Sequence, residues 1–174
     1  MSDVVPPGER PFPEIRAVDE RTMLDGMLDW YRDGVVAKVA GLTDTQAKER
    51  HVASNSTLIG MVKHLAGVED SWFHDRFAGR PDPEVWVGVD FDAEPDWDFT
   101  SAWHDSLADT VELYRAACAR SRDVAAGCGL EEMAANSPRP FNLRWAYVHL
   151  IEETARHLGQ MDIMRELCDG ATGE

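Results

Sequence analysis

The chain has 174 residues, 44% of them hydrophobic, the size and composition of one ordinary domain able to bury a real core. Seventeen basic against 32 acidic residues leave a formal charge of −15, which argues against nucleic acid or an anionic membrane surface as partner. Three cysteines without a CxxC pair fit a reducing cytoplasm better than a disulfide framework. No apolar run approaches a membrane span and the N-terminus lacks a signal-peptide core, so a cytoplasmic location is expected.

Residues 1–18 carry four prolines and a glycine and read as an extended arm, because proline fixes φ and removes donors. The spacing of Leu24, Met27, Leu28, Tyr31, Val35 and Val39 predicts a helix from Asp19 as N-cap to about Val39, ended by Gly41. A short helical turn is expected at 44–49. Ser56 is expected to cap a second helix, stopped by Gly79, with Leu58, Met61, Leu65, Val68 and Trp72 as its buried stripe. Residues 80–99 read as a long polar loop holding Trp86 and Trp97, which either lid a pocket or anchor the loop. Thr100 or Ser101 opens a third helix to about Ala126, with Trp103, Leu107, Val111, Tyr114 and Cys118 on one side. Asn142 caps the last and longest helix, which Gly170 ends. The expected fold is therefore all-α, an arm over 1–18 followed by one four-helix-bundle domain over 19–174.

In the last helix Ala146, Leu150, Met161, Met164, Leu167 and Cys168 fall on one side, and Glu153 and His157 lie inside that stripe. Four residues apart, these two side chains leave the helix one above the other. A carboxylate and an imidazole in a core need partners, and one metal ion satisfies both. Bundle metal sites draw on facing helices, which makes His64 of the second helix the best third ligand. Two imidazoles and a carboxylate suit Zn²⁺ and leave positions open, although the same set also serves iron oxygenases. Cys168 lies eleven residues past His157, about 16 Å along a helix, too far to share the ion.

Plainer readings stand beside this one. A Glu–His pair at this spacing is common as a hydrogen-bonded surface pair, and His64 alone reads as an ordinary flank histidine. His149 is a possible partner of Glu153 but lies about 12 Å from His157 along the helix. His51, His74 and His104 read as surface residues.

The segments LIGMVKHLAGVEDSWF and HLIEETARHLGQMDIMREL resemble the two metal-bearing helices of the DinB-like superfamily. They are most similar to its mycothiol-dependent branch, which includes mycothiol S-transferases and the metal-binding domain of maleylpyruvate isomerase. The resemblance runs from Asp19 to Gly170 and implies a DinB-like four-helix bundle with metal ligands at His64, Glu153 and His157. Many superfamily members carry histidine in place of Glu153, and transferase relatives often carry histidine in place of Gln160. The implied activity is that of a metal-dependent transferase, in which a divalent metal, zinc first, activates a mycothiol-type thiol for attack on an electrophilic small molecule. No general base is assigned, and a monomer or homodimer is expected. Two other classes fit the same residues: a non-enzymatic metal- or small-molecule-binding stress protein, and a metal hydrolase or oxygenase using the same triad.

Overall fold

The computed structural model describes residues 10–172. Six α-helices occur among them: α1 (Glu20–Val39), α2 (Asp44–Lys48), α3 (Leu58–Glu69), α4 (Trp97–Ser101), α5 (Leu107–Ala126) and α6 (Leu143–Asp169). The four long ones form a bundle in which α1 packs along α6, and α3 along α5 and α6. Among the described residues the sole β feature is an isolated bridge between Met133 and Asn142. The fold is all-helical, as the apolar spacing predicts.

The ends of α1 and α6 follow from local chemistry. Asp19 caps α1 by accepting from the Thr22 amide, and Asn142 caps α6 by accepting from Trp145. Gly170 closes α6 at φ 78°, a left-handed position that disfavours any residue with a Cβ. Part of the expected arm, residues 1–9, lies outside the described residues. From Arg10 onward the arm has no helix, and Ile15 is buried against α1.

Three expectations need correcting. The second helix is capped by Thr57, whose hydroxyl accepts from Gly60, and not by Ser56. The helix also changes character: Asp70–Phe77 is a π-helix, with the Ala78 amide bonded five residues back to the Phe73 carbonyl. Along the π-helical turn Asp70, Phe73 and Phe77 are buried and Trp72 is half-exposed; just before it Glu69 is buried and Val68 half-exposed. Finally, the third helix starts at Leu107. Ser106 is the stronger cap, accepting from the Asp109 amide while donating to the Asp109 carboxylate. Residues 97–104 instead form α4 and a short 3₁₀ turn, which leaves Trp103 48% exposed.

Two apolar clusters fill the bundle. One gathers Val35, Val39, Leu58, Val62, Leu65, Tyr114 and Met161, the other Leu24, Leu28, Phe73, Phe77, Leu143 and Leu150. Along α1 and along α3 the sequence passes from one to the other across a buried ion pair. Arg32 Nε and Nη2 donate to Glu69 Oε1 and Oε2 at 2.7 and 2.6 Å, with the side chains 4% and 1% exposed. At the next position Asp70 accepts two bonds from Arg120 and one from Trp86 Nε1, all at 2.9 Å. Polar groups this deep persist because their hydrogen-bonding capacity is filled.

Candidate metal centre

His64 on α3 and Glu153 and His157 on α6 meet on one side of the bundle. One ligand atom from each lies within 4.8 Å of the others. His157 Nε2 is 3.3 Å and His64 Nε2 3.9 Å from the same oxygen, Glu153 Oε1, and the two imidazole rings meet edge to face at 4.8 Å. The site sits on the flank of the α6 stripe rather than within it. Thr154, Leu158 and Met161 take the buried positions, whereas Glu153 and His157 keep 24% and 14% of their side chains exposed. Leu167, placed in the stripe by sequence, is exposed instead.

Each histidine is held by its other nitrogen. Asp98 Oδ2 lies 2.7 Å from His64 Nδ1, and Gln160 Oε1 lies 2.8 Å from His157 Nδ1. With Asp98 and Gln160 on the two Nδ1 atoms, both Nε2 atoms are turned toward Glu153, and an ion bound there would take their lone pairs. The ring of Phe99 stacks on His64 at 5.1 Å.

The backbone explains how Asp98 arrives there. Helix α4 lies directly over Gly60, where a Cβ would come within 2.9 Å of the Phe99 ring. Lys63 then clamps the segment, donating to Asp105 at 2.6 Å with its ammonium 4.8 Å above the Trp97 ring. Asn55 donates to Asp96 at 3.0 Å on the other side.

Among the remaining histidines, His149 turns away from Glu153 and stacks on Trp145 at 4.8 Å, with Trp72 edge-on at 4.4 Å. His104 is exposed, and His74 reaches the Pro81 carbonyl at 3.1 Å. His51 is only half-exposed, and its Nε2 is enclosed without a hydrogen bond.

Sequence reasoning missed Asp98 altogether. It is one of several acids between 90 and 98, and only its place between two aromatic residues, Trp97 and Phe99, sets it apart. Gln160 was readable as a neighbour of His157, being three residues on, but its role depends on the rotamer.

A cavity of about 410 Å³ opens beside His64 and Asp98. Trp72 and Trp86 supply apolar wall, and Asp70, Ser71, Asp75, Arg76 and Asp82 supply polar groups. Trp86 anchors its loop through Asp70, one of the two roles expected of it, and also lines the cavity.

The donor set suits a metal of the zinc type: two imidazoles and a carboxylate, pre-oriented by a carboxylate and an amide behind the imidazoles. The family model for mycothiol S-transferases matches residues 23–170. The chain belongs to the mycothiol S-transferase family. This is a DinB-like family, so the all-helical bundle is its expected architecture. No curated protein matches the chain. Its match to the mycothiol S-transferases runs from the end of the first turn of α1 to the glycine that closes α6, so His64, Asp98, Glu153, His157 and Gln160 all fall inside it. Among the described residues no helix is long and apolar enough to cross a membrane.

Proposed function

We propose that the protein is a metal-dependent thiol S-transferase, with His64, Glu153 and His157 holding a divalent ion and mycothiol as the thiol. The observation that carries this reading is the pairing of three converging ligand atoms with a cavity that one of them, His64, lines. Family membership adds the thiol and the transfer reaction. A divalent ion at such a site lowers the pKa of a coordinating thiol and so supplies a thiolate at neutral pH.

The chain's own residues divide the remaining work. Asp98 and Gln160 fix the two rings, so that both Nε2 atoms stay presented. Glu153 contributes the negative charge that favours a cation at the site. Arg76 and the acids at 75 and 82 offer hydrogen bonds to a polar thiol, and Trp72 and Trp86 offer flat apolar surface for either substrate. Held in one cavity, the two substrates react as one unit rather than by diffusion.

The protein's own thiols are poor candidates for the nucleophile. Burial pushes the Cys118 thiol up, and the Glu69 carboxylate adds to the effect. Cys128 and Cys168 are likewise raised, chiefly by burial.

The test pairs metal analysis with mycothiol consumption in the presence of a haloarene or epoxide electrophile. His157→Ala is expected to lose the ion held with His64 and Glu153, and conjugation with it, because two ligands hold a divalent ion poorly. Glu153→His is expected to keep metal, since histidine is a competent ligand at the same helical position, while the site becomes one charge more positive. A His157→Ala protein conjugating mycothiol at the unaltered rate would refute the reading.

A further inference from the structure

A second group of ligating side chains lies at the far end of α6. One atom each of Glu49, His51 and Cys168 falls within 4.8 Å of the other two. Glu49 follows α2 directly, His51 begins the connection to α3, and Cys168 stands in the last turn of α6. Two stretches of chain far apart in sequence, 49–51 and the last turn of α6, therefore deliver a carboxylate, an imidazole and a thiol to one spot. Eleven residues of helix, about 16 Å, separate Cys168 from His157, so the two groups cannot share an ion.

A second observation points to a missing partner. His51 Nε2 is enclosed and makes no hydrogen bond among the described residues. A buried ring nitrogen without a partner is costly, and such groups in native proteins usually mark a ligand, water or ion. The Cys168 thiol is only weakly engaged, donating to the Gln46 carbonyl at 3.8 Å, and that contact is cheap to give up. Cys168 also stands in the last turn of a 27-residue helix, the end at which the helix dipole favours a cation.

We propose that Glu49, His51 and Cys168 form a second metal site, binding a borderline divalent cation of the zinc type. One thiolate, one imidazole and one carboxylate are the donors such ions take, and three protein ligands leave a fourth position to water. Zinc–ligand distances of roughly 2.0–2.3 Å require the three atoms to draw in by about an ångström. Glu49 is exposed and free to move its side chain that far. Bound there, the ion ties the start of the α2–α3 connection to the end of α6, a clasp for the bundle rather than a site of turnover.

The site can be tested apart from the first because it alone contains sulfur. Full-length His157→Ala protein is titrated with Co²⁺ while the near-ultraviolet spectrum is followed. The expected result is a thiolate-to-cobalt charge-transfer band saturating at one equivalent and removed by Zn²⁺. Adding Cys168→Ser should abolish the band, and adding His51→Gln should weaken cobalt binding by more than about a hundredfold, more than loss of a supporting residue costs. Cys118→Ser and Cys128→Ser should leave it in place. Zn²⁺ should raise the melting temperature of His157→Ala protein but not of His157→Ala/Cys168→Ser, with far-ultraviolet circular dichroism confirming that both are folded. Absence of the band at saturating Co²⁺, or a band that survives Cys168→Ser, overturns the proposal. Neither outcome bears on thiol conjugation, which is measured at the other site.

Discussion

Replacing Asp98 by asparagine tests the site at its supporting carboxylate without touching a ligand. The Asp98 side chain is buried and lies 2.7 Å from His64 Nδ1, while its second oxygen accepts from the Phe99 amide at 2.8 Å. Asparagine keeps the shape of the side chain. If its oxygen stays on the Phe99 amide, its NH₂ faces His64 Nδ1 and two donors oppose each other. The ring must then shift its proton to Nε2, the atom needed as a lone pair. Loss of such a support weakens metal binding by about 10–100-fold, equivalent to roughly 1.4–2.8 kcal/mol. Asp98 belongs at the upper end of that range, because its bond is short, charge-assisted and shielded from water. Gln160→Ala belongs at the lower end, since Gln160 is exposed and its amide is neutral. The assay is competition for Zn²⁺ against a chromogenic chelator at constant pH, with Cys168→Ser as background to silence sulfur ligation. An Asp98→Asn dissociation constant within twofold of the parent protein would refute the orienting role. A larger loss from Gln160→Ala than from Asp98→Asn would refute the argument from burial and charge.

The buried Arg32–Glu69 pair gives a stability prediction. Glu69→Gln or Arg32→Met alone breaks the buried ion pair, Arg32 in the first case keeping only its bond to the Asp29 carboxylate at 2.9 Å, and should cost about 3–5 kcal/mol, whereas Arg32→Met with Glu69→Leu should be neutral or stabilising. For a chain of this size the single changes correspond to a fall of roughly 6–20 °C in melting temperature by calorimetry. Equal destabilisation by the singles and the double would sink that account. A third prediction concerns acid. Bonds from the Thr22 hydroxyl and amide hold Asp19 below the ordinary 3.8, so its contribution is complete above pH 3.8 and fades as pH falls through the lower folded value. The stability difference between the parent protein and Asp19→Ala, followed by urea unfolding, should therefore shrink only below pH 3.8; a difference that shrinks from pH 6 downward contradicts it.

The bundle was legible because helices announce their ends. Asp19, Asn142, Gly41 and Gly170 mark boundaries through side-chain oxygens and left-handed φ, both local properties. The start of the third helix was not. Thr100, Ser101 and Ser106 are all capable caps, and the choice fell to Ser106 through its reciprocal bond with Asp109 and the Asp44 carboxylate, which accepts from Leu107 at 3.0 Å. Helical phase put Glu153 and His157 on one face but misjudged their depth, because it cannot say where a neighbouring helix stops covering a stripe. Asp98 escaped because its meeting with His64 spans 34 positions and depends on α4 lying over Gly60.

The π-helical turn at Asp70–Phe77 has a consequence for how this bundle can change. A loop closed by a bond five residues back holds one residue more than an α-turn does. One residue could therefore be removed within the turn while the helix before it, with His64, and the contacts after it, with Phe77, keep their phase. The residues inside the turn would be re-aimed, and those include Ser71, Trp72, Asp75 and Arg76 of the cavity wall. A single-codon deletion could thus reshape what the cavity admits while leaving the ligand set in place, so new substrates could be reached by changing the chain's length as well as its side chains.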